Sequence, residues 1–305
     1  MRKLLSSLIV MLMLSGCASN TMQGSGNITI YTRDASSGTR EAFEKGADFE
    51  GELTKYAVEV SSNEDMAAKV GADKNAIGYT SLSTNFEKNG IKPLKFEGVV
   101  ASTETVLDGS YGLQRPFSFV TRADGDFDSK EKQQLVEAFL DYLLHSMEGL
   151  AIVKRYGGEV DMTKAVPWEE LKKNHPIVNQ DNSHITLITC GSTSVEKTLK
   201  PALEAFVPMA GNFKILMNQT GSSDGYTRVL GNEKDGANKA DIGFASRAFK
   251  DNEDVSEALA SGYYCLDAVV AVVNEDNTQI DNLTQEDIKK IFTGESLDWD
   301  EFFNK

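Results

Sequence analysis

The sequence predicts an α/β fold, and three observations carry the prediction. Strand-like apolar runs alternate with helical periodicities along the chain. Apolar residues make up 40% of the 305, enough to build substantial cores. Three loops rich in Ser, Thr and Gly each fall where a strand passes into a helix. Alternation of this kind produces largely parallel sheets flanked by helices, and the length suggests about two domains.

Residues 1–17, MRKLLSSLIVMLMLSGC, have a basic start, an apolar run and the close Leu14-Ser15-Gly16-Cys17. They predict an export signal, too short to span a membrane. Residues 18–26 carry Ser, Asn, Thr, Gln and Gly and predict a flexible tether. In ITIYTRDASSGTREAF, residues 28–43, a strand leads through Ser36, Ser37, Gly38 and Thr39 into a helix beginning near Arg40. That turn aims backbone N–H groups, hydroxyls and the positive end of a helix dipole at one point. Arg33 adds forked cationic donors beside it, so a small oxyanion suits the arrangement. An ordinary capped helix with an exposed arginine is the alternative.

A strand at 57–60 precedes a helix whose cap is Ser62 or Asn63, with Met66, Ala67 and Val70 at helical spacing. NAIGYTSL and FSFVTR are strands, and Leu135, Phe139, Leu140 and Leu143 mark one face of a helix over 130–144. A shorter helix covers 149–155. The polar stretch 157–184 reads as a connector. Beyond it, ITLITC, FKILMNQ, ADIGFASR and YYCLDAVVAVV are strands, and helices occupy 195–206, 226–230 and the run from Thr284. GSTSV places Thr193 and Ser194, and TGSSDG places Ser222 and Ser223, at strand-to-helix loops like the first. Parallel α/β sheets gather such loops at the carboxyl ends of their strands, where ligands bind.

A formal net charge of −15, without clustered Lys or Arg, argues against nucleic acid as a partner. It does not argue against a small anion, because a buried site feels its own donors more than distant screened charge. Gly221 to Gly225 fits the G-x-S-x-G nucleophile elbow, but no histidine follows His184 to act as its base. The three histidines show no metal spacing. Cys190 and Cys265 can pair after export, yet each sits at the edge of an apolar strand, where free buried thiols are common.

Taken together, ITLITCGSTSV, NQTGSSDG, ADIGFASR, LDAVVAVVN, LTQEDIKKIFTGE with Trp299, RDASSGTREAF, NAIGYTSL and SYGLQRPFSFV resemble the phosphate-binding lipoproteins of bacterial ABC phosphate importers. The resemblance covers most of 27–155 and 185–303. It implies the hinged, two-lobed fold of type II periplasmic-binding proteins, each lobe a mixed, mostly parallel sheet flanked by helices. The blocks stand in a rotated order, so the resemblance implies a circular permutation in which 157–184 joins the usual end to the usual beginning. Lobe two is then 27–112 and lobe one 113–305, with a single covalent crossing near Arg115 to Phe119. Such a chain is a monomer; two halves completing each other between chains is the alternative.

By motif, the implied phosphate ligands are Arg33, Ser37, Gly38, Thr39, Thr193, Ser194 and Ser222. Ser246 and Arg247 join them where many relatives carry a carboxylate that accepts the phosphate proton; Asp224 or Asp267 can supply that acceptor instead. Cys17 matches a lipobox and becomes the lipid anchor, with a non-lipidated signal as the alternative. The resemblance further implies a non-enzymatic protein without cofactor, outside the cytoplasm, touching the membrane through its lipid and delivering phosphate to an ABC permease. An oxyanion sensor or surface adhesion protein that kept the fold is the runner-up.

Overall fold

The computed structural model describes residues 27–303. The signal read over 1–17, the lipidation site Cys17 and the 18–26 tether lie outside them. The first elements are β1 (Thr29–Arg33), α1 (Gly38–Gly46), β2 (Val58–Val60), α2 (Asn63–Ala72), β3 (Ala76–Ser81), β4 (Ile91–Pro93), β5 (Lys95–Phe96) and α3 (Thr103–Leu107). Next come β6 (Gln114–Thr121), α4 (Lys130–His145), α5 (Met147–Arg155), α6 (Trp168–Leu171), β7 (Thr186–Gly191) and α7 (Glu196–Phe206). The last are β8 (Lys214–Gln219), α8 (Ser222–Thr227), β9 (Ile242–Ala245), β10 (Ser261–Asn274), β11 (Asn282–Leu283) and α9 (Gln285–Thr293).

One curled sheet of order β2-β1-β3-β10-β6-β9-β7-β8, with β4 also on β10, links both lobes. Strand β1 pairs parallel with β2 and β3, and β7 parallel with β8 and β9. The centre is antiparallel, because β10 runs against β3, β4 and β6, and β6 against β9. The sheet is therefore more mixed than simple alternation implies. Two large apolar clusters lie against it, one built around Phe139, Leu203 and Phe244, the other around Phe43, Tyr79 and Phe292.

These clusters revise the expected lobe boundary. Ala268, Val269, Ile288 and Trp299 pack with Ile28 and Phe43, so the chain from 268 to 303 belongs with 27–113 rather than with 113–267. The reason is the length of β10. Its first half, Ser261 to Ala268, pairs with β6, and its second half pairs with β3 and β4. Consequently the chain crosses between lobes twice: once from Leu113 to Phe117 at the start of β6, and once from Cys265 to Ala268 in β10. The two crossings are neighbours in the sheet, with Arg115 opposite Asp267.

Local sequence explains the helix ends. Ser129 caps α4 by accepting from the Lys132 N–H, and Thr284 and Asp287 form a capping box on α9, which stops at left-handed Gly294. The connector is packed rather than loose: Trp168, Ile177 and Val178 are buried in the lobe-one core, and the Trp168 indole stacks on His175. Cys190 and Cys265 are buried and free.

Candidate functional site

Three strand-to-helix turns converge where the lobes meet. From lobe two comes the turn after β1, whose Ser37 hydroxyl caps α1 by accepting from the Arg40 N–H. The Phe43 ring holds α1 in place, lying 4.2 Å from the Tyr79 ring and 5.0 Å from Phe292. From lobe one come the turns after β7 and β8, joined where the Thr220 and Gly221 N–H groups both donate to the Gly191 carbonyl.

Across this junction Thr39 and Ser194 share a hydroxyl hydrogen bond of 2.7 Å, and the Ser222 N–H donates to the Ser36 carbonyl at 3.1 Å. The Ser246 N–H donates to Ser222 Oγ at 3.0 Å, and Ser192 Oγ donates to Ser246 Oγ at 2.9 Å. Thr39, Ser192, Ser194, Ser222 and Ser246 are all buried. Hydroxyls rotate freely about their C–O bonds, so a ring of them can exchange mutual hydrogen bonds for bonds to an oxyanion. Ser222 Oγ, bonded to the Ser246 N–H, is part of this cradle.

Arg33, at the end of β1, is the cation of the cluster and is 1% exposed. Its fork donates to Asn63 Oδ1 at 3.2 Å, Ser61 O at 3.0 Å, Thr193 Oγ1 at 3.2 Å and Asp34 Oδ2 at 3.3 Å. Its Nε–H is buried and has no partner in this arrangement. A buried guanidinium with one long carboxylate contact and an orphaned N–H is incompletely neutralised, which favours an anion beside it. Arg40 points along the helix instead, with Nε 2.6 Å from Glu44 Oε1 and Nη1 donating to the Arg33 carbonyl.

Of the sequence-assigned residues, Arg33, Thr39, Thr193, Ser194, Ser222 and Ser246 come together, with Gly38 packed on Ser222 and Ser246 and Ser37 as cap. Arg247 does not join them. Its fork is spent on Glu253, Nη1 to Oε2 at 2.7 Å and Nη2 to Oε1 at 2.8 Å. Both carboxylates suggested as proton acceptors are also committed: Asp224 to Arg228 and Thr220, Asp267 to Arg115 and Ser81.

Asn63, read from sequence only as a possible cap, is a member of the cluster. Ser62 takes the capping role, and Asn63 receives Arg33 on its carbonyl while its amide donates to Ser194 Oγ at 3.2 Å. The signal was present, since SSN is a fourth polar turn between strand and helix. Beside the cluster opens a groove of about 630 Å³ lined by Asn63, Thr193 and Ser194 and, further out, by Lys88, Lys197 and Lys200. No ion pair engages these three lysines among the described residues. Burial pulls the Lys197 ammonium below its ordinary range, opposed by the nearby Glu64 charge.

Two lobes on a two-stranded hinge, closing on a ring of hydroxyls and one buried arginine, define a solute-binding protein of the two-lobed type. Comparison with known proteins gives the same class. The family model for the PBP superfamily domain matches residues 18–147 and 178–305. The chain is 30% identical over 296 residues to phosphate-binding protein PstS 2 of Streptococcus agalactiae serotype V, covering 94% of this chain and 92% of that one. It is 30% identical over 293 residues to phosphate-binding protein PstS 2 of Streptococcus pneumoniae serotype 4, covering 93% and 90%. A crystal structure of a phosphate-binding protein of a phosphate ABC transporter from Streptococcus pneumoniae TIGR4 superposes with a TM-score of 0.65 at 30% identity, over 90% of this chain and 99% of that one. The chain belongs to the PBP superfamily and, within it, to the PstS phosphate-binding protein family.

Proposed function

We propose that this protein captures inorganic phosphate between its lobes, outside the cytoplasm, and delivers it to the permease of an ABC importer. The observation that carries the reading is Arg33: a permanent cation, buried, with an unpartnered Nε–H, at the meeting point of hydroxyls from both lobes. The ligands are Arg33, Thr39, Asn63, Thr193, Ser194, Ser222 and Ser246, with the α1 N-terminus adding its dipole. A tetrahedral anion suits donors that converge from several directions, and the lysines at the groove mouth offset locally the −15 of the whole chain. The protein is not an enzyme on this reading. Its anchor is the lipid on Cys17, and it acts as a monomer, since one chain contributes both halves of the cluster.

The test is a thermal-shift panel of phosphate, arsenate, sulfate, molybdate and tungstate. A ligand that binds only the folded state stabilises it by RT ln(1 + [L]/Kd), about 2.7 kcal/mol at a hundredfold excess over Kd, and so raises the melting temperature. Phosphate and its isostere arsenate should give the largest shifts. Absence of a shift with every oxyanion would overturn the reading and favour a surface-adhesion role.

A further inference from the structure

We propose that Arg247 is a positioning residue, the fixed half of an interlobe latch whose other half is Glu41, and that the latch sets ligand affinity by biasing the cleft towards closure. The proposal rests on the phosphate-binding reading for its ligand but not for its geometry.

Within lobe one, Arg247 is pre-organised. Glu253 takes both terminal nitrogens of its fork, the Ala248 carbonyl also accepts from Nη1, and the Lys250 N–H donates to the same Glu253 carboxylate. What remains is Nε, turned towards lobe two, where Glu41 Oε2 lies 2.9 Å away. The Nε–H is not aligned on that oxygen, so the contact is an ion pair by distance and not a formed hydrogen bond. Lys250 Nζ reaches the same Glu41 oxygen at 2.9 Å.

Within this cluster the charges balance across the cleft. Arg247, Lys250 and Glu253 sum to one positive charge on the lobe-one side, and Glu41 supplies one negative charge from lobe two. Closure neutralises both, with Arg247 only 6% exposed and Glu41 23% exposed. In a partly desolvated setting opposite charges attract more strongly than at an open surface. Glu41 also sits in the first turn of α1, the helix that begins with Gly38 and Thr39. Drawing Glu41 onto Arg247 therefore presses Gly38 against Ser222 and brings Thr39 to Ser194. A protein whose binding-competent state is only partly populated binds its ligand more weakly by that fraction, so the latch raises affinity without touching the anion.

Direct electrostatics and the latch predict opposite signs for one substitution. Removing the negative charge of Glu41 near an anion site would strengthen binding by simple Coulomb reasoning; losing a latch weakens it. The experiment uses the full chain carrying spin labels at Glu87→Cys and Glu204→Cys, exposed positions on opposite lobes, with interlobe distances measured with and without phosphate. Glu41→Gln should lengthen and broaden the ligand-free distance, and should weaken phosphate binding about tenfold through a faster koff. Phosphate at saturation should restore the closed distance. In the parent protein, rising salt should open the ligand-free cleft, and Glu41→Gln should remove that salt dependence. Lys250→Gln, at an exposed side chain, should open the cleft in the same direction. An unchanged ligand-free distance in both variants, or tighter phosphate binding by Glu41→Gln, overturns the latch. Should no oxyanion bind at all, the ligand-free distances still decide it.

Discussion

A Cβ added at Gly38 would lie 2.2 Å from Ser222 Oγ and 2.9 Å from Ser246 Oγ. The first residue of α1 thus touches the first residue of α8 across the cleft, and nothing larger than hydrogen fits between them. The clash exists only when the lobes are together. Gly38 has no left-handed backbone to lose, and Ala is the better helix former. Gly38→Ala should therefore leave the melting temperature unchanged or slightly raised while weakening phosphate binding at least about tenfold, about 1.4 kcal/mol. Calorimetric titration beside a thermal melt separates the two effects.

Arg33→Ala and Arg40→Ala form a matched pair. Loss of the buried cation removes charge-assisted hydrogen bonds of about 1.5 to 3 kcal/mol each, so phosphate affinity should fall more than tenfold. Arg33 is also tied to Asn63 and Ser61 inside its own lobe, so a stability loss of about 1 to 3 kcal/mol should accompany it. Arg40, paired with Glu44 and aimed along α1 rather than into the cluster, should leave the affinity within about twofold. Equal losses of affinity would place the anion elsewhere.

Periodicity and turn chemistry made most of this legible. The Leu135, Phe139 and Leu143 spacing gave α4 to within a residue, and the Ser/Thr/Gly turns after β1, β7 and β8 located the cluster because strand-to-helix junctions carry their own local signal. Two features were hidden. The apolar run YYCLDAVVAVV does not show where β10 leaves one lobe for the other, since only the pairing partners change, although its one charged residue, Asp267, lies in the crossing. Arg247 was assigned to the anion from its motif, but its partner Glu253 lies six residues on, in a loop whose fold no periodicity fixes.

The two core thiols should be inert in the folded protein. Burial pushes the Cys190 thiol up to about 12 and the Cys265 thiol well above its ordinary range, where Asp267 adds to the effect. Only the thiolate reacts, so at pH 8 both should resist a maleimide or disulfide reagent. In denaturant both should label within minutes. Rapid labelling of either in the native protein would mean that the lobe-one sheet opens locally.

The last prediction concerns the hinge. Arg115 at the start of β6 and Asp267 in β10 face each other on the two crossing strands, with Arg115 Nε and Nη2 donating to Asp267 Oδ2 at 3.0 and 2.8 Å. Ser81 of β3 donates to the other carboxylate oxygen at 2.9 Å, so one buried carboxylate joins three strands. Burial draws the Arg115 guanidinium below its ordinary range against the pull of Asp267. Desolvation therefore dominates, and the pair persists because each charge neutralises the other. Asp267→Asn keeps the shape and removes the charge, leaving a cation that is 2% exposed without its counter-ion. Removing one partner of such a pair costs about 3 to 5 kcal/mol. Asp281→Asn, which breaks the exposed pair with Lys95, should cost under about 1 kcal/mol. Urea unfolding with unchanged m-values reads both numbers, and the double variant Arg115→Met with Asp267→Leu should recover most of the loss, because two apolar groups leave no charge stranded. Similar small losses for both single variants would mean that water reaches the hinge.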